Sequence, residues 1–530
     1  GMNQYVQAVN VGWAVFSKSG ELEYGPADLN SLWRGFGGPC EYQNDGDPIV
    51  QYDSLAHRWV ITQFALPNYR TENRGPFYEC IAISTGEDAT GEYYRYTFLM
   101  SKRNFPDYPH FGVWPDGYYA TVHLFRGDGF AGQGVVAFDR QSMLNGSQGE
   151  MIKFQNPDFF GALPSDVVGS TPPPAGSPNY LVIHQDDDVG DPEDQIVMFQ
   201  FHANWTNPGS SQITGPAVMP TDPIKTVLCN GFPCVTQPGT STKLDPSGYG
   251  RLLYPFTYRN FGDHESLLFT LSENAGQNHV APRWYEIRSP GNNPQIFQSG
   301  TQAPDADHRW MSSISIDGAG DIALGYSISS KTTFPSIGWA VHKPSDPAGT
   351  MGPEVVGFSG SGSQSGYDRW GDYTSMMVDP TDDCTFWYTN EYLRNTSFAG
   401  WRTRIMSFRV PGCTSAQPGP TPTPLPTATA DETHDRTVSM DLDGHLFASG
   451  YVTVPDGFTR CADGVPVKIQ QRYGRVWSLI TVTRAVDGYY RIKLGDGTGT
   501  YRAKLSETRL INDEHQVCGA AKSAAVKHKD

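Results

Sequence analysis

RWGDYTSMMVDPTDDCTFWYTNEY, residues 369–392, reads as a strand, a tight turn at Asp379-Pro380-Thr381-Asp382, and a second strand rich in aromatic and β-branched residues. Similar phrases stand at DGDPIVQYDSLAHRWVITQF (45–64), DYPHFGVWPDGYYATVHLF (107–125) and DHRWMSSISIDGAGDIALGYS (307–327). YPFTYRNFGDHESLLFTLS (254–272) fits loosely, and NYLVIHQDDDVGDPEDQIVMFQFH (179–202) more loosely. Each has a polar start, an apolar strand, a turn built on Asp with Gly or Pro, and a second strand. A third strand usually follows, as in GVVAFDR, RWYEIRS, IGWAVHK and RIMSFRV. A repeat of roughly 50–70 residues made of short strands is the mark of propeller blades, because one small sheet cannot cover both its faces and neighbours must stack on it. With a partial blade from YVQAVN and WAVFSK, the pattern predicts an all-β, seven-bladed β-propeller with blades near 4–35, 45–105, 107–160, 165–225, 248–300, 305–358 and 367–412. Trp59, Trp114, Trp310, Trp339, Trp370 and Trp387 are expected to fill the wedges between blades.

The bulk composition agrees with many short strands. Gly (57) and Pro (40) are abundant in the 530 residues, aromatics reach 12%, and long amphipathic helical patterns are hard to find. The net charge of −17 with no basic stripe argues against nucleic acid as a partner. No run of about 18 apolar residues exists, so no membrane span is expected. Gly1-Met2 reads as an added dipeptide, and a leader removed ahead of it is the expectation. The eight cysteines group locally as Cys40 with Cys80, Cys229 with Cys234, Cys384 with Cys413, and Cys461 with Cys518. An even, segment-wise count predicts four disulfides and a secreted or cell-surface location.

Residues 414–433 form a Pro/Thr-rich linker around PGPTPTPLPTATA, extended because it has nothing to bury. It separates a propeller domain (1–413) from a tail domain (434–530). From Asp435 onward, 14 Lys and Arg face 11 Asp and Glu, a net of +3 that leaves −20 on the rest. The tail alternates as TVSMDL, FASGYVTV, VPVKIQQR, RVWSLITVT, GYYRIKLG and GTYRAKL, which predicts an immunoglobulin-like β-sandwich. A spacer or display role suits it, since neither carboxylates nor histidines cluster there.

YRNFGDHES, APRWYEIRSP, DHRWMSSISIDGAGDIALGYS and RWGDYTSMMVDPTDDCTFWYTNEY together resemble a family of secreted bacterial propeller proteins of unassigned function. FGGPCEYQNDGDPIVQYD and DYPHFGVWPDGYYAT extend the resemblance over nearly all of 4–413. The tail from about 435 resembles a β-sandwich repeat of secreted bacterial proteins. More distantly, the Asp-turn hairpins resemble the Asp-box of sialidase-like propellers. The full box, Ser-x-Asp-x-Gly-x-Thr-Trp, is nowhere intact; Ser315-Ile316-Asp317-Gly318-Ala319-Gly320 is nearest, and the Arg-Ile-Pro motif is missing. The resemblance therefore implies an architecture and not a sialidase activity.

In propellers the starts of the inner strands face the axial mouth. Near those starts stand Asp47, Asp107, His308, Arg309, Arg369 and Asp372, with Arg259 further along its strand. Arg259, Arg309 and Arg369, with His308 beside them, are candidate ligand-binding groups that could clamp an anion. Asp47, Asp107 and Asp372 are candidate acids, bases or cation ligands, with Tyr108 or Tyr373 as nucleophile or proton donor. The competing role is fastening, with Asp capping strand starts and Arg bridging blades. In HQDDDVGDPEDQ (184–195) six carboxylates fall within nine residues. A Ca²⁺ ion on Asp186, Asp188, Asp191 and Glu193 is one explanation and a solvated acidic turn the other. No organic cofactor is expected, because no Walker loop or dinucleotide fingerprint exists. These readings predict an exported propeller that binds an extracellular polymer, carbohydrate foremost, with cell-surface attachment fitting the layout. A glycan-active hydrolase or lyase is the alternative, and a structural surface protein the third.

Overall fold

The structure is a computed structural model. It describes residues 1–69, 74–156, 159–414, 432–443, 446–473, 476–495, 498–506, 508–510 and 513–528. Most of the predicted linker lies outside the described residues. The chain divides into two compact units, Gly1–Gln417 and Pro418–Asp530. Both are all-β.

In the first unit antiparallel meanders follow one another. The first is β1 (Gln4–Val9), β2 (Gly12–Ser17) and β3 (Leu22–Asp28). The second is β4 (Val50–Asp53), β5 (Arg58–Ala65), β6 (Phe77–Ser84) and β7 (Tyr93–Ser101). The third is β8 (Phe105–Val113), β9 (Gly117–Arg126), β10 (Gly129–Asp139) and β11 (Met151–Asn156). The next two are β12 (Leu163–Val167), β13 (Asn179–Gln185), β14 (Gln195–His202) and β15 (Gln212–Pro220), then β16 (Leu252–Asn260), β17 (Glu265–Asn274), β18 (Val280–Arg288) and β19 (Gln295–Thr301). A parallel β12–β16 pairing joins these two into one eight-stranded sheet. The last are β20 (His308–Ile316), β21 (Ile322–Ser329), β22 (Ser336–His342) and β23 (Val355–Phe358), then β24 (Ser375–Val378), β25 (Thr385–Leu393) and β26 (Trp401–Arg409).

The leading strands of neighbouring meanders touch. β1 packs on β4, β8 on β12, β16 on β20, and β20 on β24. Gln51 Nε2 of β4 donates to the Phe111 carbonyl of β8 at 2.9 Å. The last meander returns to the first: Lys18 Nζ meets Asp379 Oδ1 at 2.6 Å, Tyr5 is hydrogen-bonded to Thr389, and the Tyr5 and Trp387 rings lie 5.4 Å apart. A chain of meanders closed on itself with leading strands innermost is a β-propeller. Double-sided cover explains β21, in which all eight residues are buried, where a sheet with one wet face would alternate. Trp114, Trp310 and Trp370 are buried, and Trp339 stacks on Phe408 at 4.4 Å, tying β22 to β26.

The repeated Asp is a turn fastener. Asp317 Oδ1 accepts the amides of Ala319 and Asp321, both at 2.9 Å, and Gly320 (φ +85°) supplies the left-handed step. Asp379 Oδ1 accepts the Thr381 amide, and Asp382 Oδ1 those of Cys384 and Thr385. Asp53 Oδ1 takes the amides of Leu55 and Ala56, and both Asp53 oxygens bind Arg140, at 2.7 and 3.0 Å.

All eight cysteines are paired: Cys40–Cys80, Cys229–Cys234, Cys384–Cys413 and Cys461–Cys518. Four disulfides point to an extracytoplasmic location. Among the described residues no helix is long and apolar enough to cross a membrane. The second unit has short sheets, antiparallel except where Glu432–His434 pairs in parallel with Asp513–Cys518, around a core of Val438, Ala448, Val467, Ile469, Tyr490 and Ala503.

Candidate functional site

One end of the ring gathers polar groups from four leading strands. Asp47 stands three residues before β4, and Asp107 and Tyr108 lie in the first half of β8. Arg251 immediately precedes β16, and Arg369, Asp372 and Tyr373 precede β24. The backbone is left-handed at Asp47 (φ +47°), Tyr108 (+54°), Tyr249 (+65°), Met311 (+49°) and Gly371 (+55°). For a tyrosine this conformation is costly, and such positions concentrate where a side chain must be aimed. At Tyr108 a bulge between Asp107 and His110 re-aims the strand against β9.

Arg369 Nη2 holds both oxygens of Asp372, at 2.7 and 2.6 Å, and this pair is about half exposed. Tyr108 Oη donates to the Asp372 carbonyl at 3.0 Å. The Tyr108 and Tyr373 rings stack at 5.2 Å and 19°, and the Arg251 guanidinium sits 5.0 Å over the Tyr108 ring. Behind them the His110 ring meets Tyr108 edge-on at 4.3 Å, and His123 lies 5.7 Å from Tyr108. Both ring nitrogens of buried His110 lack a protein hydrogen-bond partner.

The electrostatics sort these groups. Burial, then the charges of Asp107 and Asp372, push the Asp47 carboxyl up to about 7 against the pull of Arg369. Asp107 is raised as well, first by burial. Burial pushes Tyr373 well above the usual phenol range, with Asp47 adding to it, so Tyr373 is a standing proton donor and not a nucleophile. Burial drives His110 well below its ordinary range and His123 to about 4, so both rings are neutral. Glu391 is pushed up to about 8 by burial, with Asp372 repelling its charge. A carboxyl that keeps its proton near neutrality beside an ion-paired carboxylate is the arrangement that acid–base chemistry requires.

Of the residues singled out in the sequence, the structure brings Asp47, Asp107, Tyr108, Arg369, Asp372 and Tyr373 together. It places the others elsewhere. Arg259 lies at the opposite end of β16, where it pairs with Asp383 and donates to the Ile316 carbonyl at 3.3 Å. Arg309 is fully buried, held by Glu354 at 2.5 and 2.9 Å and by Asp305 at 2.9 Å. His308 accepts the Val280 amide at 3.2 Å, and burial lowers it to about 4. Arg259 and His308 fasten neighbouring blades and Arg309 fastens its own, so no three-arginine clamp forms. Arg251 takes the mouth position because β16 starts at Leu252, two residues before Tyr254; strand-start placement was the available signal. His110, His123 and Glu391 carry no sequence signal beyond residue type.

At the acidic turn, Asp186, Asp187 and Asp194 each offer an oxygen within 4.8 Å of the others. Asp186 and Asp194 also bind backbone amides: Asp186 those of Asp188 and Thr226, Asp194 those of Asp187 and Ile224. Asp188 faces Lys225 at 3.5 Å, Asp191 caps the Asp186 amide, and Glu193 is exposed.

Near the site, Glu79 of β6 is buried, and burial, with a contribution from Asp47, raises its carboxyl from 4.5 to about 8. The folded state therefore holds this proton more tightly than the unfolded chain. Its stabilisation is whole below pH 4.5 and is lost as pH climbs through about 8. Glu79→Gln is expected to flatten that slope and to be more stable than the wild type at alkaline pH by about 1–3 kcal/mol. Urea midpoints across the pH range check this; parallel slopes for both proteins would refute it.

No family model matches the sequence, and no curated protein matches it. Among solved structures, the chain is similar to an ulvan lyase, a polysaccharide lyase bound to -[GlcA(1-4)Rha3S]-, at 10% identity over 74% of this chain and 86% of that one, with a TM-score of 0.38. A Hadza microbial sialidase is similar at 10% identity over 76% and 74%, TM-score 0.34. The α-L-arabinanase of Penicillium chrysogenum is similar at 10% over 66% and 88%, TM-score 0.30. None of these likenesses carries an activity over to this chain.

Proposed function

We propose that this chain is an exported, seven-bladed propeller that cleaves an extracellular carbohydrate polymer at its axial mouth. The observation that carries the reading is the convergence of Asp47, Asp107 and the Arg369–Asp372 pair at one end of the leading strands, with Asp47 holding its proton to about 7. Glycosidic cleavage needs one carboxyl to protonate the leaving oxygen and one carboxylate to activate water or attack the sugar. Asp47 is the donor in this scheme and Asp372 the carboxylate, while Tyr108, Tyr373 and Arg251 orient the sugar. Binding without cleavage is the second reading. It is favoured by one fact, that Arg369 occupies both oxygens of Asp372. Incubation with a polysaccharide panel followed by mass analysis separates the two: new reducing or unsaturated ends support cleavage, and retention without products supports binding.

The immunoglobulin-like reading of the tail and its display at a cell surface belong to the same proposal. So does Ca²⁺ at the acidic turn, on Asp186, Asp187 and Asp194, with Asp188, Asp191 and Glu193 close by in sequence. Millimolar Ca²⁺ is then expected to raise Tm by a few degrees. A melting curve indifferent to both Ca²⁺ and chelator would remove the ion.

A further inference from the structure

The loop CNGFPC, closed by the Cys229–Cys234 disulfide, is an expensive way to make a turn. Cys229 (φ +51°), Asn230 (+58°) and Gly231 (+81°) are left-handed in succession, a run that only a constrained chain adopts. Its product is Phe232, 70% exposed at the tip. Tyr249, itself 48% exposed, lies against Gly231 so closely that a Cβ there would sit 2.0 Å from its hydroxyl. Phe232, Lys243, Tyr367 and Asp368 are among the residues that line a groove of about 490 Å³. Tyr367 is stacked on exposed Phe398 at 5.2 Å and 21°.

This groove neighbours the mouth, since Tyr367 of its lining and Asp372 of the mouth both act electrostatically on Arg369. Asp368 is followed directly by Arg369, which holds Asp372. Tyr249 stands two residues before Arg251, which covers Tyr108. We propose that the groove is a flanking subsite that holds further sugars of a neutral polysaccharide as the chain leaves the mouth; this rests on the mouth being the glycan site. Aromatic faces take the apolar faces of sugar rings, and the Lys243 and Asp368 heads take hydroxyls. Neutrality follows from charge. The propeller and linker carry −20 net, and Asp368, Asp372 and nearby Asp245 place acids along this rim, so a polyanion would be repelled along its length.

The test is electrophoresis of the full chain through native gels containing soluble xylan, a mixed-linkage β-glucan or polygalacturonate. Xylan or glucan is expected to retard the wild type. Phe232→Ala and Tyr367→Ala are each expected to weaken that apparent affinity about fivefold to tenfold, and Phe232→Trp to restore it. Equal retardation of the alanine variants, retardation by polygalacturonate alone, or no retardation in any gel would overturn the subsite. The mouth reading is tested separately in the same gels. An Asp47→Asn protein that cleaves like the wild type would sink the catalytic scheme, while the effect of Phe232→Ala on mobility would still support the groove.

Discussion

Asp47→Asn is expected to lower turnover of a cleaved glycan on the order of 10²–10⁴-fold with little change in Tm. The substitution nearly preserves shape. Because burial and the neighbouring carboxylates keep Asp47 protonated up to about pH 7, the variant replaces a neutral carboxyl by a neutral amide, so the site gains no uncompensated charge. What disappears is the transferable proton. The wild-type rate should fall as pH rises through about 7, the limb on which Asp47 loses its proton, and this limb should be absent from the residual activity of the variant. Steady-state rates across pH, on whichever polysaccharide the panel identifies, check both statements. A variant with wild-type rates removes Asp47 from the chemistry, and an unchanged alkaline limb assigns that limb to another group.

Arg309→Met should leave the mouth intact and cost about 3–5 kcal/mol of stability. The Arg309 side chain is 1% exposed, and its guanidinium donates to the Glu354 carboxylate, to Asp305 and to the Asp307 carbonyl. Methionine fills the stem but strands Glu354, 16% exposed, beside an apolar group. The urea midpoint of the propeller transition reads the loss. A stable variant with impaired glycan turnover would instead return Arg309 to the functional site.

Much of the fold was legible because the repeat is local. The Asp turn, the flanking apolar strands and the spacing between copies are written within each segment, and the strands 308–316 and 322–329 coincide with DHRWMSSISIDGAGDIALGYS. The disulfides were legible for a similar reason, since each links cysteines of one segment. The site was half legible. Asp47, Asp107, Arg369 and Asp372 follow from the rule that leading-strand starts face the mouth. Arg259 falls outside that rule, because it stands near the far end of β16, which carries it to the opposite end of the ring. His110 and Glu391 could not be found, since their positions on strands give no sign of whether a partner waits across the blade.

An all-β chain of repeated Asp-turn meanders, a separate tail, four cysteine pairs and polar strand starts can all be read from the residues in order. Each of these is set by hydrogen bonds and packing among residues close in the chain. Which polar groups share a site and which fasten blades is set by the folded ring. Asp47 and Asp372 are 325 positions apart and meet because the ring closes. Arg309 finds Glu354 within its own meander and is spent there. Desolvation and the charge of neighbours, the forces that separate an acid from a fastening, act through space, so they come into being only when the blades close around the axis.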